Sequence, residues 1–567
     1  MCGFTYRHAS KLTGSHGYLK HRGPDEQSYT VGDSYELEFS RLTITGSVEG
    51  QVPVYSENRE WLVAFNGEIY NFKQLIESHQ LPMTDSDTKV IANGLEKYGI
   101  DFLTRLRGMF AGIAINTVTN TKYLFRDPLG EKPLFYFRDA NQFVVSSEFT
   151  ALIRIRNSPL VLNQKAVTDF FRFGYVQEPD TFDVGIFSVK RGVVIELKQG
   201  NLFAEVAPLE GYDESETTLR LPDLLDLLNR EVSFSTVPTG LALSAGVDST
   251  SLLYAMSKHR DSEFIPLIVN VSSSRVSQEA MEAMESCKRL GIQPHLINDL
   301  GASDLESRLF SLAEKNDQPH ADPSGLSYLT IFQEAESIGL KVILLGHGPD
   351  ELFWGYPWFN KRLLDSHQKG FLRKPNSPVY WDTPGKNSRL LWSLGYPESE
   401  DIGVFSADRY LRSINPWERF RAEIVHGYLS PNGLRQSDRL AMASGIEPRT
   451  PYADSRLYGW AQRNSIKSDS AFDKREFRNS VDLGSLESSR YRRKQGFGSP
   501  MGSWFQNPEL NDFAGQCLKI VVAQNLNWRF TPRLRLLSPS EKYRIVMLGA
   551  WLSQINDVVK SKPQASL

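Results

Sequence analysis

The chain has 567 residues, which at roughly 150 residues per domain corresponds to two to four domains. Hydrophobic residues make up 40% and charged residues 23%, ordinary globular usage that excludes a disordered or fibrous chain, and a net charge of −3 supplies no general attraction to nucleic acid or an anionic membrane. Three cysteines (Cys2, Cys287, Cys517) are too few and too dispersed for a disulfide framework or zinc cluster, no apolar run reaches the roughly 18 residues of a membrane span, and the first residues lack a signal-peptide core, so a reduced, cytoplasmic compartment is expected.

Up to about residue 200, short apolar runs are broken by Gly, Pro and Asn. Segments 60–70, 122–137 and 141–148 read as strands, and 87–99 has apolar residues at helical spacing before a terminal glycine. This is an α+β pattern dominated by sheet. From about residue 215 the pattern changes: a helix over 218–232, a strand over 240–244, a helix over 250–260, a strand over 264–271, a helix over 277–291 and a strand over 341–346. Strands alternating with crossover helices predict a parallel sheet that presents ligand groups at its carboxyl ends. Residues 357–430, rich in Pro, Trp and Arg, show no periodicity and receive no element.

Cys2 directly follows the initiator Met. With Met1 removed, one residue carries a thiol and an α-amino group of ordinary pKa about 7.7–8.0, hence nucleophile and base together. A small residue that merely follows Met is the plain alternative, and the segments downstream weigh against it.

MCG (1–3), HRGPDEQ (21–27), SRLTITG (40–46), FNGEIYN (65–71), SDT (86–88), FRDPLGEKPL (125–134) and SSE (146–148) run in order through the first 150 residues. In these the chain resembles the class II glutamine amidotransferases, whose fold is an α+β N-terminal-nucleophile hydrolase with sandwiched β-sheets. The resemblance implies that Arg41 holds the glutamine α-carboxylate and Asp87 its α-ammonium. It implies also that the Asn66 amide and the Gly67 N–H form the oxyanion hole, with Leu42, Thr43, Ile44 and Glu68 lining the pocket. Asn-Gly is by itself the commonest hairpin turn.

The segment LALSAGVDSTSLL (241–253) sets a Ser/Gly turn between a buried strand and a helix, where backbone N–H groups and the hydroxyls of Ser244 and Ser249 can cradle phosphate. Asp248 would repel bare phosphate, so its natural role is through a bound Mg²⁺. The turn resembles the pyrophosphate loop of ATP pyrophosphatases, with Ala245 where glycine is usual, a change expected to alter the loop slightly. DQPHADPSG (317–325), LLGHGPDELFWGY (344–356), SDRLAMASGIEPRTPYAD (437–454) and KQGFGSP (494–500) extend the resemblance to the synthetase domain of glutamine-hydrolysing asparagine synthetases. The implied fold is an α/β parallel-sheet ATP-pyrophosphatase domain with added helices over 209–567, following a glutaminase domain over 1–208. Implied ATP contacts are Ala242, Ser244, Gly246, Asp248, Ser249, Val269, Leu345, Gly346 and Lys494. Asp248 and Asp350 would hold Mg²⁺, while Lys494 would neutralise charge at the attacked phosphate. An acidic pair on a helix start is the plain reading of Asp350–Glu351, and a nucleic-acid patch that of RYRRKQ (490–495).

The implied reaction takes glutamine, ATP and a carboxylic acid to glutamate, AMP, pyrophosphate and an amide, with aspartate as default acceptor. His347 stands where asparagine synthetases carry glutamate, Pro349 where a small residue is usual and Gln318 where glutamate is common. These departures leave open amidation or cyclisation of a different acid, with His347 as base or specificity residue. A non-catalytic relative that only binds glutamine or nucleotide would lack Cys2, Asp248 or Lys494, and all three are present. Expected partners are small molecules, neither nucleic acid nor membrane, with a homodimer as the candidate assembly.

Overall fold

Among the described residues, twelve strands build the first half: β1 (Cys2–Ala9), β2 (Glu26–Val31), β3 (Tyr35–Arg41), β4 (Val54–Tyr55), β5 (Trp61–Ile69), β6 (Gly108–Asn116), β7 (Lys122–Arg126), β8 (Phe135–Arg138), β9 (Gln142–Ser146), β10 (Ile186–Ser188), β11 (Val193–Lys198) and β12 (Asn201–Pro208). The computed structural model describes residues 2–9, 14, 17–44, 53–198, 201–211, 216–233, 235–258, 264–270, 276–298, 304–357, 360, 389–394, 416–464, 472–492, 501–524, 526–529 and 531–560.

The strands form two antiparallel six-stranded sheets, ordered β10-β8-β9-β1-β3-β2 and β12-β11-β7-β6-β5-β4. Phe4, Tyr6, Leu37 and Phe39 of one interlock with Leu62, Ile113, Leu124 and Ile195 of the other in a shared core. Helices Phe72–His79 and Asp87–Tyr98 cover one outer face, and helices Phe149–Arg156 and Gln164–Phe173 the other. The result is a four-layered α+β sandwich, with a core between the two sheets and a helical layer outside each.

The second half centres on a parallel sheet of β13 (Thr239–Ala242), β14 (Phe264–Asn270), β15 (His295–Asn298), β16 (Val342–Leu344) and β17 (Glu447–Arg449), in the order β15-β14-β13-β16-β17. Alternate residues feed two separate cores: Ala242, Leu267 and Ile343 face one, Leu241, Ile268 and Leu344 the other. Burial on both faces is what a parallel sheet requires. Order reverses at β13, so the crevice at the carboxyl ends of β13 and β16 is the natural ligand site.

The predicted helices recur as Asp87–Tyr98, Leu221–Ser233, Val247–Lys258 and Gln278–Arg289. The second-half strand and helix ends shift by up to three residues; the helix expected from 250 starts at Val247, which puts Asp248 and Ser249 in its first turn. Of 357–430, helix Pro416–Ile424 and the start of a widened helical stretch, Val425–Leu434, fall within the described residues, as do 357, 360 and 389–394. Strand β17 has no counterpart in the sequence reading. Its Pro448 argues against a strand, yet β17 lies at the sheet edge, where a missing N–H is tolerated.

Candidate functional sites

Cys2 opens β1 and stands opposite Arg41 in the register of β3. Burial raises the thiol pKa, opposed by a hydrogen bond from the Leu42 backbone N–H and by the charge of Arg41, while Asp87 raises it further. The Asn66 amide is satisfied with its nitrogen donating to the Cys2 carbonyl at 2.8 Å and its oxygen accepting Arg22 Nη2 at 3.2 Å. Asn66 and Gly67 lie within β5 and not in a turn. Gly67 has φ +146°, and a Cβ there would fall 1.9 Å from the Met109 carbonyl oxygen, so only glycine allows this strand to cross β6 so closely.

Asp87 begins helix Asp87–Tyr98 and accepts the backbone N–H groups of Ile69 at 3.1 Å and Thr88 at 2.7 Å. Burial still pushes its carboxyl up to about 6. Arg41, itself buried, pairs with Glu26 at 3.2 Å. The structure thus gathers Cys2, Arg41, Leu42, Asn66 and Asp87. The other residues expected to line the pocket meet other partners: Thr43 N donates to Asp25 Oδ2 at 2.8 Å, the Ile44 carbonyl accepts Thr236 Oγ1 at 3.2 Å, and Glu68 sits 3.5 Å from Arg449 of the second half. Burial raises the Glu68 carboxyl, opposed by Arg449.

At the second site, the loop after β13 keeps ordinary backbone angles, since neither Ala245 nor Gly246 is among the positive-φ residues; Ala245 therefore carries no strain of that kind. Ser249 Oγ lies 3.0 Å from Ser244 Oγ and accepts the Ser244 N–H at 3.1 Å, so these hydroxyls close the loop on itself. Gly346 packs against the first turn of helix Val247–Lys258, where a Cβ would meet Asp248 Cβ and Ser249 N at 3.2 Å. Ala242 ends β13, Val269 lies in β14, and Leu345 follows β16, all three buried.

Asp248 and Asp350 converge on Lys474. Its Nζ is 2.7 Å from Asp248 Oδ2 and 2.9 Å from Asp350 Oδ1. Asp350 and Glu351 are both buried on helix Pro349–Leu352, and Glu351 accepts Tyr356 Oη at 2.8 Å, so a solvated acidic pair does not describe them. Pro349 occupies the first position of that helix, where its missing N–H costs nothing. Gln318 is buried and accepts the Phe182 N–H at 3.1 Å, joining the halves. His347 lies just beyond β16, with Nε2 2.9 Å from Ser437 Oγ and the Tyr328 ring 5.6 Å away. Ser437 Oγ donates to the Gly433 carbonyl at 2.8 Å, so it accepts from His347; Nε2 carries the proton and Nδ1 is the basic nitrogen.

Lys494 and the segment 493–500 lie outside the described residues. Lys474, Arg22 and Asp438 escaped sequence reasoning. Nothing in FDKREFR (472–478) distinguishes a buried lysine from a solvated one, and only the fold shows Lys474 3% exposed in its side chain. Among the described residues no group of three or more His, Cys, Asp or Glu side chains could hold a metal, and no helix is long and apolar enough to cross a membrane.

Residues 1–206 match the glutamine amidotransferase domain, and residues 223–540 match the asparagine synthase family. The glutamine-hydrolysing asparagine synthetase 1 of Bacillus subtilis is similar at 26% identity over 546 residues, covering 87% of this chain and 84% of its own. Asparagine synthetase 2 of the same organism is 28% identical, covering 83% of this chain and 66% of its own. A putative glutamine-hydrolysing asparagine synthetase of Mycobacterium tuberculosis is 24% identical, covering 89% and 86%. The chain belongs to the asparagine synthase family, with a glutamine amidotransferase domain at its amino-terminal end.

Proposed function

We propose that this chain is a glutamine-dependent, ATP-consuming amidotransferase that converts a carboxylic acid, aspartate by default, into its amide in the cytoplasm. Residues 1–208 hydrolyse glutamine and residues 209–567 activate the acid. The Cys2 thiol attacks the glutamine amide carbon, its proton passing to the α-amine exposed by loss of Met1. Ammonia leaves, and water releases glutamate from the thioester. Arg41 and Asp87 hold the α-carboxylate and α-ammonium, and Asn66 with Gly67 stabilises the oxyanion.

In the second half the acid carboxylate attacks the α-phosphorus of ATP and pyrophosphate leaves. Ammonia then attacks the acyl-adenylate, expelling AMP, and His347 Nδ1 takes the surplus proton. Asp248 and Asp350 fit a shared cation, since both already converge on the Lys474 ammonium, and they would hold Mg²⁺. That ion would offset the charge of the departing pyrophosphate. Lys474 and Lys494 are the chain's own cations for the same task. Ala242, Val269, Leu345 and Gly346 line the nucleoside pocket.

The observation that carries this reading is the pairing of Cys2 with Arg41 in one half and the convergence of Asp248, Asp350 and Lys474 at the carboxyl edge of the parallel sheet in the other. The test measures pyrophosphate and amide formation with ATP and either glutamine or ammonium chloride, across a panel of carboxylic acids that includes aspartate. Cys2→Ala should lose the glutamine-driven reaction and keep the ammonium-driven one. Loss of both, or of neither, sinks the division of labour; an amide formed only from another acid replaces the acceptor and leaves the reaction class standing.

A further inference from the structure

A chain of hydrogen bonds leads from the nucleophile's main chain into the other half of the molecule. Arg22 Nε donates to the Cys2 carbonyl at 3.2 Å, Nη1 to Glu148 Oε1 at 3.2 Å, and Nη2 to Asp438 Oδ1 and Oδ2 at 3.2 and 3.0 Å. Asp438 lies in helix Arg435–Met442, beyond β16, and also receives Lys132 Nζ at 3.2 Å. Arg22 and Asp438 are both 0% exposed. Two ions without solvent persist only where nearly every donor and acceptor is matched, and here the match spans 416 positions of sequence.

The Arg22 stem lies under the same backbone. A Cβ at Gly3 would stand 3.1 Å from Arg22 Cδ, so the side chain fills the space beneath the step from Cys2 to Gly3. With the Asn66 amide turned so that both its atoms are matched, its oxygen accepts Arg22 Nη2 and its nitrogen donates to the Cys2 carbonyl. A guanidinium is planar, so bonds to Asp438 on one edge fix the direction of the Nε–H on the other. Without Asp438, Arg22 keeps Glu148, the Cys2 carbonyl and the Asn66 oxygen but loses both of its bonds to one buried carboxylate, and with them the firmest hold on the end of its side chain.

We propose that Asp438 is a positioning residue of the glutaminase, acting through Arg22 to hold the main chain of Cys2 and the amide of Asn66. The half of the chain that carries the nucleotide loop thereby completes the site that hydrolyses glutamine. This inference rests on the reading of Cys2 as the glutaminase nucleophile.

The test uses the full-length protein. Asp438→Asn keeps the volume and removes the charge, and the readouts are kcat and KM for glutamine hydrolysis and the rate of Cys2 alkylation by 6-diazo-5-oxo-L-norleucine. The expected result is a loss of at least tenfold in kcat and in alkylation, with KM within twofold, because Arg41 and Asp87 do not depend on Asp438. Asp438→Asn combined with Lys132→Met removes one charge of each sign and is the better-balanced version should the single variant fail to fold. Arg22→Lys keeps every charge, loses only the planar fork, and decides by the same split should neither fold. Unchanged kcat in a folded variant overturns the proposal, as does a fall in kcat matched by an equal rise in KM, which marks general loosening of the site. Cys2→Ala protein that still hydrolyses glutamine overturns the reading of Cys2 and this inference with it, whereas an inactive Cys2→Ala protein beside a fully active Asp438→Asn protein overturns the inference alone.

Discussion

The Lys474 ammonium lies 2.7 Å from Oδ2 of Asp248, on the first turn of the helix that follows the Ser/Gly loop, and both side chains are nearly shut off from solvent. Asp350 completes a triad of two carboxylates on one cation. Removing Lys474 leaves two buried anions facing each other, at about 3–5 kcal/mol for a broken buried pair.

Lys474→Met is therefore expected to lower thermal stability and to cut pyrophosphate release more than tenfold, about 1.4 kcal/mol in barrier, while glutamine hydrolysis at Cys2 survives. Lys474→Arg, which keeps the charge, should recover most of the stability and little of the turnover. Pyrophosphate release at the wild-type rate in a folded Lys474→Met protein would take Lys474 out of the nucleotide site.

The two halves and their fold classes were legible because period-2 runs and crossover helices survive in single-sequence patterns. The residues tying the halves together were not. Pro448 hid β17, and Lys474 and Arg22 look like surface cations until their partners, 226 and 416 positions away, are brought to them. Ser244 and Ser249 were legible as loop residues, but their mutual hydrogen bond depends on how tightly the turn after β13 closes. Asn66-Gly67 reads as a turn from two residues and as strand from nine, because only the full run Trp61–Ile69 shows that it continues through both.

Asp87 supplies a pH dependence. Its carboxyl is pushed up to about 6 by burial, against the N–H groups of Ile69 and Thr88. A raised carboxyl is neutral below its pKa, so under the proposed role of Asp87 its attraction for the glutamine ammonium is present above about 6 and fades on acidification. Calorimetric binding of glutamine to the Cys2→Ala protein should weaken roughly tenfold per pH unit below about 6. Glu68, also raised by burial against Arg449, titrates beside it, so Glu68→Gln is the control. Binding that stays flat from pH 8 to pH 5 in both proteins would remove Asp87 from ammonium recognition.

Glu178 is a structural hub between the halves. Its oxygens accept Arg126 at 2.9 Å, Arg191 at 3.0 Å and Arg435 at 2.6 Å. Burial alone would raise its pKa, but the three guanidiniums outweigh it and hold the carboxyl well below the usual range. A depressed carboxyl contributes stability above the unfolded value of about 4.3, and that contribution is lost as pH falls. Glu178→Gln should cost about 3–5 kcal/mol in denaturant unfolding at pH 7. The gap between variant and wild type should narrow below about pH 4. A variant within 1 kcal/mol of wild type at pH 7 would show that the cluster contributes little net stability.

His347 stands at the carboxyl end of the central sheet with its Nε2 proton directed to Ser437, and Ser437 commits its own proton to the Gly433 carbonyl. This fixes the ring and leaves Nδ1 as the basic nitrogen. The attacking nitrogen must shed a proton as it becomes an amide, and an imidazole of ordinary pKa about 6.5 accepts one near neutral pH. His347→Ala should therefore keep adenylation and slow the second step, so that pyrophosphate release exceeds amide formation as the acyl-adenylate is lost to water. Ser437→Ala, which removes the group orienting the ring, should show a weaker form of the same uncoupling. His347→Glu introduces the carboxylate that the sequence resemblance implies at this position, and should shift preference toward aspartate if the native acceptor is another acid. Pyrophosphate and amide measured together decide the matter: equal loss of both in His347→Ala, or no loss of either, rejects His347 as the base, and unchanged acid preference in His347→Glu rejects it as a specificity residue.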